Sequence, residues 1–280
     1  MRSVGFIDYY LDEWHANEYP KKIAHYNETH GADYRVTCAY AEIDSPIGGL
    51  STDAWCEKQG VFRCRSIEEL CRLCDCVIVL APANPERHLD YARAVFATGK
   101  SAYIDKTFAP DGKTAEAITA LAAEYGVKFF SSSALRYAEE LSPFAGAARA
   151  IDTVGGGSNL EEYIIHQIEM TVKCLGVGAS SLTYRELDDG ALITLLYPDS
   201  RTATMRYTPG VPFSASVTDK TGATHALLMQ SPYFDHLIAD IFRFFESGEI
   251  SFPNAETVEV IKIRDAVIRA KNENSESVAI

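Results

Sequence analysis

Basic side chains are scarce in this sequence. Its 280 residues carry 26 lysines and arginines against 39 aspartates and glutamates, which gives a formal net charge of −13. Nucleic-acid binding needs basic residues clustered along one face, because phosphate contacts release counterions. The basic residues here are scattered. We therefore expect no nucleic-acid partner, and the same acidity disfavours an anionic membrane surface.

Long apolar runs are also missing. The longest, Val77 to Ala83, is far shorter than the roughly 20 residues that a membrane helix requires. The amino terminus shows no charged-then-apolar leader either. We expect a cytoplasmic protein.

Regular cysteine spacing is the third absence. Seven cysteines are an odd number, and they lack the pattern of a secreted disulfide scaffold, so reduced thiols are the simpler interpretation. Cys71, Cys74 and Cys76 leave a metal or redox use open. No second cluster completes four ligands for a metal.

The chain has two parts that differ in the spacing of their hydrophobic residues. With 47% hydrophobic residues, it has material for about two domains at roughly 150 residues each. Up to residue 130, short apolar runs alternate with amphipathic segments, as in buried parallel strands joined by helices. The predicted strands are Ser3–Ile7, Arg35–Tyr40, Cys76–Leu80, Ala102–Ile104 and Val127–Phe130, and the first predicted helix is Lys21–Glu28. Residues 1–130 should form a Rossmann-like, doubly wound parallel sheet, with ligands beyond the carboxyl ends of its strands.

Alternating strands joined by tight turns characterise residues 131–280. Ala191–Tyr197 pairs with Thr202–Tyr207, and Ser214–Thr218 with Thr224–Leu228, as antiparallel hairpins. Helical patterns cover Leu160–Leu175, Tyr233–Ser247 and Thr257–Lys271, and a polar tail, Asn272–Ser277, should be frayed. We expect an α+β domain with a mainly antiparallel open sheet.

Two sequence blocks resemble the Gfo/Idh/MocA oxidoreductases. In Cys76–Pro110 a strand is followed by a proline, Pro82, then by His88 at a helix start, Gly99-Lys100, another strand and Asp105-Lys106-Thr107. Thr107 stands where the family has a proline. The second block, Gly155–Gly176, resembles the family's glycine run and Asp-x-x-x-His-x-x-Asp pattern, with Glu162, His166 and Glu169 at the matching positions. The resemblance spans nearly the whole chain.

The resemblance implies an NAD(P)-dependent oxidoreductase that acts on a sugar, polyol or related hydroxy compound by hydride transfer. Lys106 would orient the substrate oxygen, His166 would take or give the proton, and Glu162 would tune His166. Helical spacing supports this, because a carboxylate one turn before a histidine raises its basicity. The alternative is that Glu162, His166 and Glu169 belong to a solvent-exposed row of i,i+4 side-chain pairs, which has the same spacing and no catalytic role.

The resemblance also implies binding residues. The predicted cofactor contacts are Gly5, Asp8, Tyr10, Leu11, Glu42, Pro82, His88 and Lys106, and the predicted substrate contacts are Arg136, Tyr137 and Glu169. NAD is expected over NADP, because an acid at Glu42 or Asp44 suits a ribose 2′-hydroxyl. His88 is equally explained as a helix-leading residue, and Arg136 and Tyr137 as domain-junction residues. By resemblance, a homodimer or homotetramer would form through the second-domain sheet.

The glycine-rich loop of a dinucleotide site is missing. A Gly-x-Gly-x-x-Gly turn should follow the first strand, but Asp8, Tyr10 and Glu13 stand at the three glycine positions. Their bulk and charge oppose a pyrophosphate. A cofactor-free relative that binds a small ligand or regulates is therefore the second hypothesis. A metal-dependent lyase or hydrolase that uses the carboxylates and His166 is the third. Two trios have metal-compatible side chains, but neither has a complete metal signature: Asp12, Glu13 and His15, and Glu162, His166 and Glu169.

Overall fold

The chain divides into two compact units. A computed structural model describes residues 1–275 and 277–280. Unit 1 consists of Met1–Ala109, Lys113–Ser131 and Ile238–Ser251. Unit 2 consists of Pro110–Gly112, Ser132–Leu237 and Phe252–Ile280. The division predicted at residue 130 places Ile238–Ser251 in the second domain, whereas in the structure these residues belong to unit 1.

Unit 1 is built on a six-stranded parallel sheet, which confirms the Rossmann-like prediction. Its strands are β1 (Arg2–Asp8), β2 (Tyr34–Ala41), β3 (Phe62–Arg63), β4 (Cys76–Val79), β5 (Ala102–Ile104) and β6 (Phe129–Phe130), in the spatial order β3-β2-β1-β4-β5-β6. β1 pairs in parallel with both β2 and β4. The strand order reverses between β1 and β4, and α/β sheets bind ligands at such a point.

Five helices connect these strands. They are α1 (Trp14–His30), α2 (Thr52–Gln59), α3 (Ile67–Leu73), α4 (His88–Phe96) and α5 (Gly112–Tyr125). The sequence predicted the first helix only from Lys21, but α1 begins seven residues earlier because the side chain of Glu13 caps it. Gly31, at φ 64°, ends α1 in the left-handed conformation that favours glycine.

A mixed, mainly antiparallel sheet forms unit 2, as predicted. Its strands are β7 (Ala148–Gly155), β8 (Ser181–Leu187), β9 (Gly190–Leu196), β10 (Thr202–Tyr207), β11 (Ser214–Asp219), β12 (Thr224–Leu228) and β13 (Ser277–Ala279), in the order β12-β11-β7-β10-β9-β8-β13. β7 and β10 run parallel. The hairpins β9–β10 and β11–β12 have the predicted partners.

Three helices accompany this part of the chain: α6 (Leu160–Leu175), α7 (Tyr233–Ser247) and α8 (Asn254–Glu273). α6 has the predicted bounds and buries Ile164, Ile168 and Val172. The expectation of a frayed tail is wrong for the described residues, because α8 continues to Glu273 and β13 pairs with β8. Glu276 lies outside the described residues. In the described part of the chain, none of the helices combines the length and apolar character needed to cross a membrane.

Candidate functional site

A buried carboxyl group ends β1 where the first glycine of a dinucleotide loop would stand. Asp8 is 1% exposed. Its Oδ1 accepts the N–H groups of Tyr9, at 2.7 Å, and of Ala81, at 3.1 Å, so it bridges the ends of β1 and β4. Within the described residues its Oδ2 is buried without a hydrogen-bond partner. Burial, and next the charge of Glu13, raise the pKa of Asp8 well above its usual range.

A second carboxylate occupies the amino end of α1. Glu13 accepts the backbone N–H of His15, at 2.8 Å, and that of Ala16. Its Oε2 also lies 3.0 Å from Nδ1 of His15. In a dinucleotide-binding fold, N–H groups at this helix terminus face the pyrophosphate. Here an anion from the chain itself already binds them.

The acid expected at the ribose is also engaged. Glu42 follows β2, and its Oε2 accepts from Nε of Arg87, at 2.9 Å, and from the hydroxyl of Tyr91, at 2.8 Å. A second Arg87 bond reaches Oε1. The Arg87 guanidinium lowers the pKa of Glu42. Asp44, the alternative residue, accepts the N–H of Thr52 at 2.7 Å.

These residues do not fit a dinucleotide. A pyrophosphate at the β1–α1 turn would meet Asp8 and Glu13, and the donors that should bind it are already hydrogen-bonded. Asp12 also stabilises the turn, because it accepts hydrogen bonds from the side-chain amide of Asn17, at 3.0 Å, and from the N–H of Leu50, at 2.7 Å. The turn is therefore closed by its own carboxylates.

The remaining predicted cofactor residues have structural positions in unit 1. Gly5 lies inside β1, where a Cβ would come within 2.6 Å of Leu70. Leu11 is buried, while Tyr10 and Pro82 are half-buried. His88 is fully buried, and its ring nitrogens lie 2.7 and 2.9 Å from the carbonyl oxygens of Leu80 and Phe108. Burial lowers its pKa, and the two carbonyl contacts oppose that decrease. The His88 ring therefore joins two backbone segments.

Past β5, the structure brings together a polar cluster that the sequence did not reveal. Buried Asp105 accepts from the hydroxyls of Tyr19, at 3.1 Å, and Tyr103, at 3.0 Å. The N–H of Lys106 donates to it at 2.8 Å, and Nε2 of His15 lies 3.8 Å away. Lys106, which joins Thr107 through a cis peptide bond, is half-buried. This hydrogen bond to Asp105 holds the backbone of Lys106, the residue that is predicted to orient the substrate oxygen. The sequence offered Asp105 as a signal, but two of its partners, Tyr19 and His15, are distant along the chain.

In unit 2, His166 is half-buried on α6. Its Nδ1 lies 2.5 Å from the hydroxyl of Ser133. The rings of Tyr163 and Phe213 approach the imidazole edge-on, at centroid distances of 5.6 and 5.5 Å. The result is one ionisable ring between two aromatic side chains. Ser133 was not predicted, because its contact with His166 joins residues 33 positions apart.

The glycine run before α6 makes room for these aromatic rings. A Cβ at Gly155 would come within 2.5 Å of Phe213, and a Cβ at Gly157 would overlap the ring of Tyr163. Gly155 also has φ 148°, a conformation that side chains rarely adopt. The run therefore positions the rings beside His166.

Two of the residues predicted to contact substrate form a buried ion pair. Arg136 and Glu169 are 6% and 3% exposed, and Nη1 of Arg136 lies 3.1 Å from Oε2 of Glu169. Arg136 also pairs with Glu256 and stacks 3.7 Å above the ring of Phe252. Burial raises the pKa of Glu169, and the charge of Arg136 opposes that rise. Both residues therefore position the segment around Ser133, whose N–H donates to Glu169 at 3.0 Å.

The other two predicted residues lie nearer the surface of unit 2. Glu162 is exposed, and its N–H donates to the Asn159 cap at 2.9 Å. Tyr137 is half-buried, and its carbonyl oxygen lies 3.2 Å from Nδ1 of His236. The tuning of His166 by Glu162 stays a prediction.

No metal centre emerges in the residues that the structure describes. Over residues 1–275 and 277–280, no three histidine, cysteine, aspartate or glutamate side chains are grouped so that they could hold a metal ion. All seven cysteines are buried free thiols, including Cys71, Cys74 and Cys76.

Comparison with known proteins supports the fold. No family model matches the chain, and no curated protein matches its sequence. Solved structures match over nearly its full length. Myo-inositol dehydrogenase from Lactobacillus casei, in complex with NAD(H) and myo-inositol, has a TM-score of 0.78 at 13% identity and covers 100% of this chain and 96% of that one.

Two further dehydrogenases have similar scores. Apo scyllo-inositol dehydrogenase from Lactobacillus casei has a TM-score of 0.75 at 13% identity, with 99% of this chain and 98% of that chain covered. UDP-N-acetylglucosamine 3-dehydrogenase from Acidithiobacillus ferrooxidans has 0.73 at 13% identity, with 95% and 96% covered. The chain thus shares the fold of sugar and polyol dehydrogenases, as the resemblance to the Gfo/Idh/MocA family implied.

Proposed function

We propose that the chain is a cofactor-free relative of the sugar and polyol dehydrogenases. It binds a polyhydroxylated small molecule at His166 and does so without a nicotinamide dinucleotide. The observation that carries this proposal is the carboxylate of Glu13, which accepts the N–H groups of His15 and Ala16 at the amino end of α1.

Electrostatics indicates how strongly a dinucleotide is disfavoured. Two like charges about 4 Å apart repel by about 4 kcal/mol at the effective dielectric constant near a protein surface. That energy corresponds to a loss in affinity of roughly 1000-fold. Releasing Glu13 instead would remove the cap of α1, at about 0.5–2 kcal/mol.

His166 and its neighbours suit a hydroxylated ligand. The rings of Tyr163 and Phe213 supply apolar surface beside one polar imidazole, and small-molecule sites commonly combine such surfaces with few polar groups. We assign the ligand to the sugar or polyol class because the proteins with this fold include two inositol dehydrogenases and a UDP-sugar dehydrogenase.

An NAD-dependent oxidoreductase of the Gfo/Idh/MocA type is the second candidate. The observation that favours it is the match, over the whole chain, to a dehydrogenase solved with NAD(H) and myo-inositol. Lys106 would orient the substrate oxygen and His166 would exchange its proton with the substrate hydroxyl. This candidate requires that Glu13 leave the N–H groups of α1.

Isothermal titration calorimetry separates the two candidates. We expect no saturable binding of NAD(H) or NADP(H) to the wild-type chain, and binding of one or more members of a panel of sugars and polyols. His166→Ala should abolish that binding, whereas His25→Ala, at an exposed histidine of α1, should not. Micromolar NAD(H) affinity, with polyol-dependent absorbance at 340 nm, would favour the oxidoreductase and overturn our proposal.

A further inference from the structure

Ser133 makes three contacts that together fix the state of His166. Its backbone N–H donates to Oε1 of Glu169 at 3.0 Å. Its hydroxyl oxygen accepts the N–H of Leu135 at 3.3 Å, and the same oxygen lies 2.5 Å from Nδ1 of His166. The residue itself is completely buried. Ser133 therefore stands between a buried carboxylate and the imidazole.

The hydroxyl proton of Ser133 has one acceptor among these contacts. The N–H of Leu135 can only donate, so it uses a lone pair of the hydroxyl oxygen. If Nδ1 of His166 also donated to that oxygen, the serine proton would be buried without a partner among these contacts, which is unfavourable. If instead the serine proton is donated to Nδ1, both groups are satisfied. A neutral imidazole then carries its own proton on Nε2.

We propose that Ser133 is a positioning residue that holds neutral His166 in the tautomer with the proton on Nε2. In that tautomer Nε2 of His166 is a hydrogen-bond donor, and a ligand group that reached it would be an acceptor oxygen. This assignment of the ligand group rests on the proposed sugar or polyol ligand. A carboxylate at Nδ1 would favour the opposite tautomer, with Nε2 free to take a proton from an alcohol.

The Arg136–Glu169 pair keeps Ser133 in this role. Glu169 accepts from both the Ser133 N–H and Nη1 of Arg136. Because Glu169 is buried and paired on both sides, the segment that carries Ser133 has little freedom to turn its hydroxyl away from His166. Glu169 thus acts on the imidazole through Ser133 and not through a direct ligand contact.

Long-range ¹H–¹⁵N correlation spectra of the full chain, labelled at histidine nitrogens, test the tautomer directly. His166→Gln assigns the resonances. At a pH where the ring is neutral, we expect a protonated Nε2 and an unprotonated Nδ1 in the wild-type chain. Ser133→Ala should convert this single tautomer to a mixture, whereas Ser133→Thr, which keeps the hydroxyl, should preserve it. Ser142→Ala, at an exposed serine of unit 2, should leave it unchanged.

A wild-type spectrum with the proton on Nδ1 would overturn the proposal, and so would a Ser133→Ala spectrum identical to the wild type. The wild-type spectrum decides even if Ser133→Ala fails to fold. It also needs no ligand, so an absence of sugar binding would remove the proposed function without touching the tautomer. Where a ligand binds, Ser133→Ala should weaken it by about 3- to 10-fold, as for one lost hydrogen bond.

Discussion

Replacement of Asp8 by asparagine should change how the stability of the chain depends on pH. The N–H groups of Tyr9 and Ala81 donate to Oδ1, while Oδ2 is buried without a partner among the described residues. Burial and the charge of Glu13 raise the pKa of Asp8 well above its usual range. The folded chain therefore holds Asp8 protonated at a pH where the unfolded chain has released that proton.

The sign follows from this difference. An aspartate in the unfolded chain has a pKa of about 3.9. Because the folded pKa is higher, the contribution of Asp8 to stability is fully present below pH of about 3.9 and is lost as the pH rises to the folded pKa. Over that interval the wild-type chain loses about 1.4 kcal/mol per pH unit from this group. Asparagine has no such proton, so Asp8→Asn lacks this slope.

Urea denaturation at pH 5, 6 and 7 measures the effect. The free energy of unfolding of Asp8→Asn, minus that of the wild type, should rise by up to about 1.4 kcal/mol per pH unit. A constant offset that does not depend on pH is also expected, because the amide N–H groups that replace the buried Oδ2 need acceptors of their own. The slope, and not the offset, is the test.

Asp12→Asn is the matched control in the same turn. The side-chain amide of Asn17, and next the N–H of Leu50, lower the pKa of Asp12. Its contribution is therefore present above the unfolded pKa and is lost only as the pH falls through the folded pKa. Between pH 5 and 7 the Asp12→Asn difference should be flat. Parallel pH profiles for wild type and Asp8→Asn would refute the reasoning about a buried, protonated Asp8.

Three further predictions concern unit 2. Arg136→Met should lower the free energy of unfolding, measured by urea denaturation, by about 3–5 kcal/mol, because it leaves the buried Glu169 without its cationic partner. The added change Glu169→Leu should recover most of this loss. A loss below about 1 kcal/mol for Arg136→Met alone would contradict this reasoning. Gly157→Ala should lower the free energy of unfolding by about 1–3 kcal/mol, because its Cβ would overlap the ring of Tyr163. The loss should be smaller in a chain that also carries Tyr163→Ala. Equal losses in the wild-type and Tyr163→Ala chains would contradict this reasoning. If the chain forms a homodimer or homotetramer through the unit 2 sheet, Thr204→Arg, at a half-buried position of β10, should reduce its mass in light scattering to that of one chain, and an unchanged assembly would contradict this arrangement.

Much of the fold could be predicted because its signals are local. The parallel strands of unit 1 are short apolar runs, and α6 shows a helical spacing of apolar residues that gave both of its ends. The start of α1 was missed because Glu13 is an unusual capping residue and Pro20 lies inside the helix. β7 was missed because its buried residues, which include Ala148, Ile151 and Thr153, do not alternate regularly and are partly small or polar.

The candidate site was harder to predict because its contacts join distant residues. Helical spacing places His166 and Glu169 on α6, but nothing near either residue indicates that Ser133 contacts both. Arg136 and Glu169 have the residue types of a substrate site, yet opposite charges also pair with each other when both are buried. Only the tertiary structure separates these two uses.

The carboxylates at the β1–α1 turn explain how this fold persists without the glycine motif. The first N–H groups of a helix need acceptors, and in a dinucleotide enzyme the bound pyrophosphate can serve as one. Here Glu13 is that acceptor, and Asp8 joins the ends of β1 and β4. The free chain therefore satisfies these groups without a ligand. Glu13→Ser separates the two roles of Glu13, because serine also caps a helix but carries no charge. We expect this variant to stay folded, and any NAD(H) affinity that it gains would measure how far the carboxylate alone excludes the dinucleotide.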